Sequence, residues 1–215
     1  VQQLKLAALG RLTASMAHEI RNPLSAVTQA ADLLGEEKRA DVQARLLRII
    51  TDNARRIERM VRDVLALGRR DQLMREVLPV RAVVSQVIEE FGLKGDRELA
   101  VFSIDIADEL SLAMDRAHLY QILSNLLHNA RRHCSGGPGA IRLSAHHEGE
   151  DKVRLHVVDD GPGVSEPDQA HLFDPFFTTD ARGTGLGLYI ARELAESNDA
   201  SGKFVGNEPG AHFVI

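Results

Sequence analysis

Residues 16–27, MAHEIRNPLSAV, decide how the first third of the chain folds. Around them, seam positions recur at Leu6, Leu9, Thr13, Met16, Ile20, Val27 and Leu34, in steps of three and four or their sums. That is the stripe of a helix packed along a partner helix. In this frame His18 falls two residues past Met16, on the face turned away from the core, and Asn22 lies beside it one turn later. Pro23 has no N–H, so the Glu19 carbonyl loses its helical donor and the helix is expected to bend there. The result is an exposed imidazole with a neighbouring carboxylate and a carboxamide one turn on. A neutral imidazole is a nucleophile; a carboxylate bonded to one ring nitrogen fixes the tautomer and leaves the other nitrogen free to attack. A lone surface histidine would mean only solvation. The neighbours of His18, and the second half of the chain, give it a role.

Working outward, the polar run GEEKRAD at 35–41 reads as a solvated turn. A second periodic run follows at Val42, Leu46, Ile49, Ile57, Met60, Val64 and Leu67. Two long helices joined by a short turn make an antiparallel hairpin with one apolar face and nothing in the chain to cover it. Pairing of two hairpins into a four-helix bundle solves this, so a homodimer is expected. Asn53, near the second seam, reads either as a register-fixing polar residue or as an exposed position at the bundle edge.

Bulk properties bound the rest. The 215 residues, 44% hydrophobic with net charge −5, suffice for one large domain or two small ones. No basic stripe interleaved with aromatics is present, which argues against direct nucleic-acid binding. The single cysteine, Cys134, excludes an internal disulfide and fits a reducing compartment. No apolar run is long enough to span a membrane. The chain starts inside a helical pattern without a methionine, so it is expected to be the cytoplasmic part of a longer protein.

After GRRDQLMREV, 68–77, the pattern changes. The expected division is a hairpin at 1–70, a linker at 71–79 ending on Pro79, and a second domain at 80–215. In that domain VRAVVSQVIEEF reads as a helix, LAVFSIDI as a strand, and MDRAHLYQILSNLLHNARRHC as a long helix capped by Asp115. IRLSAHH and KVRLHVVDD read as strands around a turn at 148–151, GLYIARELAES as another helix, and FVI as a last strand. Helices beside a mixed sheet make an α+β domain. His146 and His147, adjacent on a strand, point to opposite faces and are expected in solvent; His118, His128, His171 and His212 have no neighbours at metal-ligand spacing.

Three polar clusters carry chemistry here. Asn125 and Asn129 share a helical face, and an amide oxygen is a hard ligand suited to Mg²⁺. In DDGPGV, 159–164, Asp159 can accept the exocyclic amine of adenine, while Gly161 and Gly163 allow a tight turn and close backbone approach. GTGLGL, 183–188, opens a helix whose free N–H groups suit phosphate. Between the glycine clusters, residues 165–182 read as a polar lid with an aromatic cluster, Phe173, Phe176 and Phe177, that packs lid and core.

Taken in order, these motifs resemble those of bacterial two-component sensor histidine kinases. HEIRNP matches the H box, NLLHNA the N box, DDGPG the G1 box, LFDPFF the F box and GTGLGL the G2 box. The resemblance spans nearly the whole chain. It implies an all-α dimerisation and phosphotransfer hairpin followed by an α+β sandwich of the Bergerat type, shared with Hsp90-like ATPases. HEIRNPL, DPFFTT and ELAESNDA further resemble the subgroup that controls type IV pilus genes, related to nitrogen-regulation kinases.

The resemblance implies a role for each matching residue. His18 would be the phosphoacceptor, Glu19 the acid/base that activates it, and Asn22 the residue associated with dephosphorylation of the partner. Asn129 would hold Mg²⁺ with Asn125 in support, Asp159 would bind adenine, and Arg132 would sit near the phosphates. Gly161, Gly163, Phe173, Gly183, Thr184, Gly185, Leu186 and Gly187 would complete the ATP site. The implied partners are a second copy of the chain and a response regulator, of the sigma-54 activator type by the subgroup likeness. The implied parent is anchored in the bacterial inner membrane. His133 stands where the family usually has tyrosine and Asp180 where many members have lysine, with Arg182 a candidate replacement charge. NDASGKFV replaces the usual glycine-rich segment after the last box.

Two other functions compete. ATP hydrolases of the wider Bergerat group carry a glutamate general base one turn before the metal-binding asparagine; here that position is Asn125, and an amide is no base. A scaffold that binds nucleotide only for regulation would not need His18 and Glu19.

Overall fold

The computed structural model describes residues 2–68, 73–91, 96–149, 152–180 and 183–215, and within these the side chains of 2–15, 66, 67, 96 and 97 lie outside the description. The chain forms two compact units: Val1–Ala66 with Asp174–Leu186, and Leu67–Phe173 with Gly187–Ile215.

In the first unit, helix α1 (Gln2–Glu36) and helix α2 (Ala40–Gly68) form the expected hairpin. α1 continues through Pro23 as one helix of 35 residues. The turn between them is more ordered than a solvated one. The Glu37 carboxylate accepts the backbone N–H groups of Lys38 and Arg39 at 3.0 and 2.9 Å, while Gln43 donates to the Glu37 carbonyl at 2.7 Å. The Arg39 amide above all holds the Glu37 carboxyl below the usual carboxylate range. Ala30, Leu46 and Met60 are buried, as a packed hairpin requires. Ile49, placed on the seam by its spacing, is 36% exposed. Asn53 donates to the Ile49 carbonyl one turn back at 2.8 Å, so its amide N–H is bonded within its own helix. Leu24, Leu33, Leu47, Val61 and Leu65 also remain exposed. The seam positions Leu6, Leu9, Thr13 and Leu67 lie outside the described side chains.

The second unit opens on strand β1 (Arg75–Pro79), so residues 75–79 are not linker. β1 pairs antiparallel with β3 (Ser111–Asp115) in a two-stranded ribbon; only Leu78 of β1 is buried, so that strand leaves no apolar pattern, and β3 takes Met114 and Asp115 from the start of the expected helix. Between them come helix α3 (Val80–Glu89), the short α4 (Asp96–Leu99) and strand β2 (Phe102–Ile106). Asp115 caps helix α5 (Arg116–His133) as expected: it accepts the His118 N–H at 3.1 Å and also the Met74 N–H at 2.9 Å. Those donors hold its carboxyl below the ordinary value although burial pushes the other way. Arg131, Arg132 and His133 fill the last turn of α5, where cations suit the helix dipole.

Strands β4 (Ile141–Glu148) and β5 (Lys152–Asp159) form the expected hairpin. Short helix α6 (Glu166–Gln169), helix α7 (Gly187–Ser197) and strands β6 (Lys203–Asn207) and β7 (Ala211–Val214) follow. The main sheet runs β2-β4-β5-β7-β6, with β2 parallel to β4 and the other pairs antiparallel. β6 was not legible: NDASGKFV ends helix α7 and begins this edge strand, whose burial alternates without a fully buried residue. Ile141, Leu143, Leu155, Val157 and Phe213 point into the core with Val83, Val84 and Val87 of α3, Ile122, Leu126 and Leu127 of α5, and Ile190 and Leu194 of α7. Period-two alternation puts Arg142, Ser144, His146, Arg154, His156 and His212 on the opposite face.

His146 and His147 are exposed, as expected, and on the outer face His146 joins a cluster of histidines. His156 Nδ1 lies 2.8 Å from His212 Nε2, and the His146 and His156 rings stack at 5.1 Å. Burial, and then the neighbouring rings and Arg154, push the His156 imidazole below its ordinary value; burial and Arg142 do the same for His212. His118 has a partner too. Asn198 bridges its Nδ1 at 3.0 Å to the Asp115 N–H at 3.0 Å and the Leu194 carbonyl at 2.7 Å, tying β3, α5 and α7 together through buried polar groups.

Candidate active site

His18 and Asn22 are exposed on α1, as the helical spacing requires. Asn22 makes no side-chain hydrogen bond among the described residues. It does not, therefore, cap the carbonyl freed by Pro23. Glu19 departs from expectation. Its carboxylate faces Arg56 of α2 at 3.7 Å rather than the imidazole next to it, because consecutive helical side chains diverge by about 100°.

In the second unit the end of β5 and the turn after it build a recess around Asp159. Asp159 is 3% exposed, and burial pushes its carboxyl up. Its Oδ1 accepts the Gly161 N–H at 2.9 Å and the Ala211 N–H at 3.1 Å. Oδ2 takes no donor from the described residues, which is what an acceptor for an exocyclic amine needs. Close packing imposes the glycines. A Cβ on Gly161 would lie 2.6 Å from the His133 carbonyl oxygen, so the backbone of His133, not its ring, shapes this turn. A Cβ on Gly210 would lie 2.5 Å from Asp159 Oδ1. Gly210 and the Ala211 amide were missed in the sequence because a lone glycine in EPGAHF carries no periodic signal. Asp160 fastens the turn to the end of α5 by accepting the Ser135 N–H at 2.8 Å and hydroxyl at 2.6 Å.

On α5, Asn125 and Asn129 share a face but not a condition. Asn125 is committed: its Oδ1 accepts from Gln121 at 3.0 Å and its Nδ2 donates to the Gly187 carbonyl at 3.0 Å, anchoring the first turn of α7. Asn129 is half-buried and makes no side-chain hydrogen bond among the described residues, so its amide oxygen fits a Mg²⁺ ligand. Arg132 and His133 are exposed. Phe173 packs rather than reaching outward. Its ring meets Phe213 edge-on at 6.4 Å and the Arg192 guanidinium at 5.3 Å, and Arg192 also donates to the Phe173 carbonyl at 3.3 Å.

Gly183, Thr184, Gly185 and Leu186 belong to the first unit with residues 174–182. Gly185, at φ +69°, lies so close to Phe176 that a Cβ would meet its carbonyl carbon at 2.3 Å; Phe176 is itself left-handed at φ +67°, and its N–H donates to the Gly185 carbonyl at 2.9 Å. Leu186 is fully buried. The Thr184 hydroxyl donates to Asp63 of α2 at 3.2 Å, a contact the sequence did not suggest. Arg182 lies outside the described residues.

Burial pushes the Asp63 carboxyl up to about 6, partly offset by Thr184, Arg59 and Arg62. The folded chain thus keeps this proton at a pH where the unfolded chain has released it. Stability falls as pH rises from about 4 through 6. Asp63→Asn removes the charge and keeps an acceptor for Thr184. Its thermal midpoint, followed by helical ellipticity, should exceed the wild type at pH 8 by the equivalent of roughly 2–3 kcal/mol. The gain should vanish near pH 4; an equal gain at both pH values would mean that Asp63 is not the titrating group.

Among the described residues no helix is long and apolar enough to cross a membrane. The model of the histidine kinase-, DNA gyrase B- and HSP90-like ATPase family matches residues 114–215, and that of the His Kinase A phospho-acceptor domain matches residues 8–73. The sensor protein kinase PilS of Pseudomonas aeruginosa is 42% identical over 97% of this chain, and the sensor histidine kinase ZraS of Salmonella typhimurium 32% identical over 98%. The chain spans 40% and 46% of the lengths of these two relatives. Among solved structures, the histidine kinase ThkA in complex with the response regulator TrrA superposes with TM-score 0.75 and 27% identity, covering 99% of this chain and 62% of that one. The Acinetobacter baumannii histidine kinase AdeS, at 22% identity, TM-score 0.71 and coverage of 92% and 95%, shares the fold. Hairpin, ATPase domain and relatives agree: the chain belongs to the two-component sensor histidine kinases, of the pilus and nitrogen-regulation type.

Proposed function

We propose that the chain is the autokinase core of its parent protein, with a phosphotransfer hairpin up to about residue 70 and an ATP-binding domain beyond it. One pairing of observations carries this reading: an exposed His18 on a hairpin helix, and a buried Asp159 with one carboxylate oxygen left for a donor. His18 is the nucleophile. A ring nitrogen forms the bond to the γ-phosphorus of ATP as the bond to the bridging oxygen of ADP breaks, and Glu19 takes the ring proton on turning from Arg56 toward the imidazole. Asp159 accepts the adenine amine, the backbone at Gly161 and Gly163 lets the ring approach, and Arg132 lies toward the phosphates. Asn129 would hold Mg²⁺, with Asn125 setting α7 beside it. The metal bound there would supply positive charge to offset that of the transferring phosphoryl group.

His18 then passes its phosphoryl group to an aspartate of a response regulator, by analogy with the complex that ThkA forms with TrrA. A sigma-54-type transcriptional activator is the regulator that the subgroup resemblance of HEIRNPL, DPFFTT and ELAESNDA implies. The exposed leucines of the hairpin support a homodimer, and use of ATP with a single unpaired thiol supports a cytoplasmic place in a membrane-anchored parent. Incubation with γ-labelled ATP tests the proposal. Labelled protein supports it, released phosphate alone would indicate a hydrolase, and neither would indicate a scaffold.

Asn22 extends the reading. Its exposed carboxamide can align a water but cannot take a proton from it, which suits attack on the aspartyl phosphate of a docked regulator. Asn22→Ala should keep autophosphorylation within about twofold and slow regulator dephosphorylation at least tenfold, on the order of 1.4 kcal/mol. Equal losses in both activities would make the residue structural.

A further inference from the structure

We infer that Asn207 is a positioning residue of the ATP site: its side-chain amide clamps the chain where the adenine turn passes into the lid. This rests on the ATP-binding role proposed above. The turn 159–163 ends at Val164, where the 165–182 segment begins. Val164 has no strand neighbour there, yet both of its backbone groups are satisfied. The Val164 N–H donates to Asn207 Oδ1 at 2.8 Å, and Asn207 Nδ2 donates to the Val164 carbonyl at 2.8 Å. One planar amide therefore does what an adjoining strand residue would do. Gly163 makes room for it. Its φ is +73°, and a Cβ there would lie 2.5 Å from Asn207 Cγ.

The same hairpin holds the other end of the turn. Asn207 closes β6 opposite Ala211 of β7, and the Ala211 N–H together with the glycine contact of Gly210 seats the Asp159 carboxylate. The β6–β7 connection thus brackets the adenine acceptor at both ends of its turn, Asp159 from one side and Val164 from the other. Without the amide, Val164 would keep only the Gln169 side-chain bond to its carbonyl, at 3.2 Å, and the Gly161–Gly163 turn would be tied only on its Asp159–Asp160 side, where Asp159 accepts from Ala211 and Asp160 from Ser135. Asn207 is itself exposed and contributes little to the core, so its work is on the geometry of the turn.

Asn207→Asp is the informative change. It keeps the acceptor for the Val164 N–H but turns an oxygen toward the Val164 carbonyl. ATP binding to the whole chain, measured by calorimetry, should weaken about five- to twentyfold. The KM for ATP in His18 labelling should rise by a similar factor, while the rate at saturating ATP stays within twofold and the melting midpoint without nucleotide stays within about 2 °C. Asn207→Ala should behave alike, and Asn207→Gln should recover part of the affinity. Unchanged ATP affinity in both Asn207→Asp and Asn207→Ala overturns the inference. Affinity lost in step with a large fall in melting midpoint overturns it too, by making the residue merely structural. If the wild type binds ATP but carries no label, the autokinase reading fails, whereas the binding comparison still decides the role of Asn207.

Discussion

His18→Gln should reduce labelling from γ-labelled ATP to background while ATP still binds with wild-type affinity. Glutamine keeps size and polarity but offers no lone pair with the nucleophilicity of an imidazole nitrogen, and His18 lies on an exposed helical face in a different compact unit from Asp159. The label on the wild type should wash out in acid and survive alkali, because a phosphoramidate protonates at nitrogen and then hydrolyses. Persisting label in the variant would place the acceptor elsewhere; among the other described histidines, His118 is held by Asn198 and His212 by His156.

Asp159→Asn should weaken ATP about ten- to hundredfold, the loss expected when a charged acceptor is exchanged for an amide that presents a donor to a donor. The variant should still fold. One amide oxygen can go on accepting from Gly161 and Ala211, and removing a buried charge relieves the desolvation that pushes this carboxyl up. Gly210→Ala should mimic the loss without touching any polar group, since its Cβ would press on Asp159 Oδ1 at 2.5 Å and on the Gly161 nitrogen at 2.6 Å. Calorimetric titration with ATP reads both variants. Binding within twofold of wild type for Asp159→Asn would remove adenine from this recess. Normal binding by Gly210→Ala alone would mean that the turn can shift to accept a methyl group.

Much of this was legible in the residues themselves. The hairpin followed from seams of period three and four, the β4–β5 hairpin from strict alternation around a polar turn, and the α5 start from Asp115, because in each case local periodicity or capping carries the element. His18, Asn129 and Asp159 stood out because their residue types are costly or odd where the pattern puts them. Other features depended on chain segments remote in sequence. β1 and β3 are five residues each, and β1 is largely exposed, so they become strands only by pairing with each other across 32 to 40 positions of sequence, as Pro79 does with Ser111 and Arg75 with Asp115. Glu19 was read against its sequence neighbour and is instead held by Arg56, on the antiparallel helix. Thr184, which the resemblance puts in the ATP site, meets Asp63, while Asn207, Gly210 and the Ala211 amide act on a turn more than forty residues away. The sequence alone determined which chemical groups the chain carries and the local elements that display them, because helix period, strand alternation and caps are short-range. Only the tertiary structure decided which of those groups are free to react and which are spent on one another, because hydrogen bonds and burial are settled by whatever the fold brings within about 3 Å.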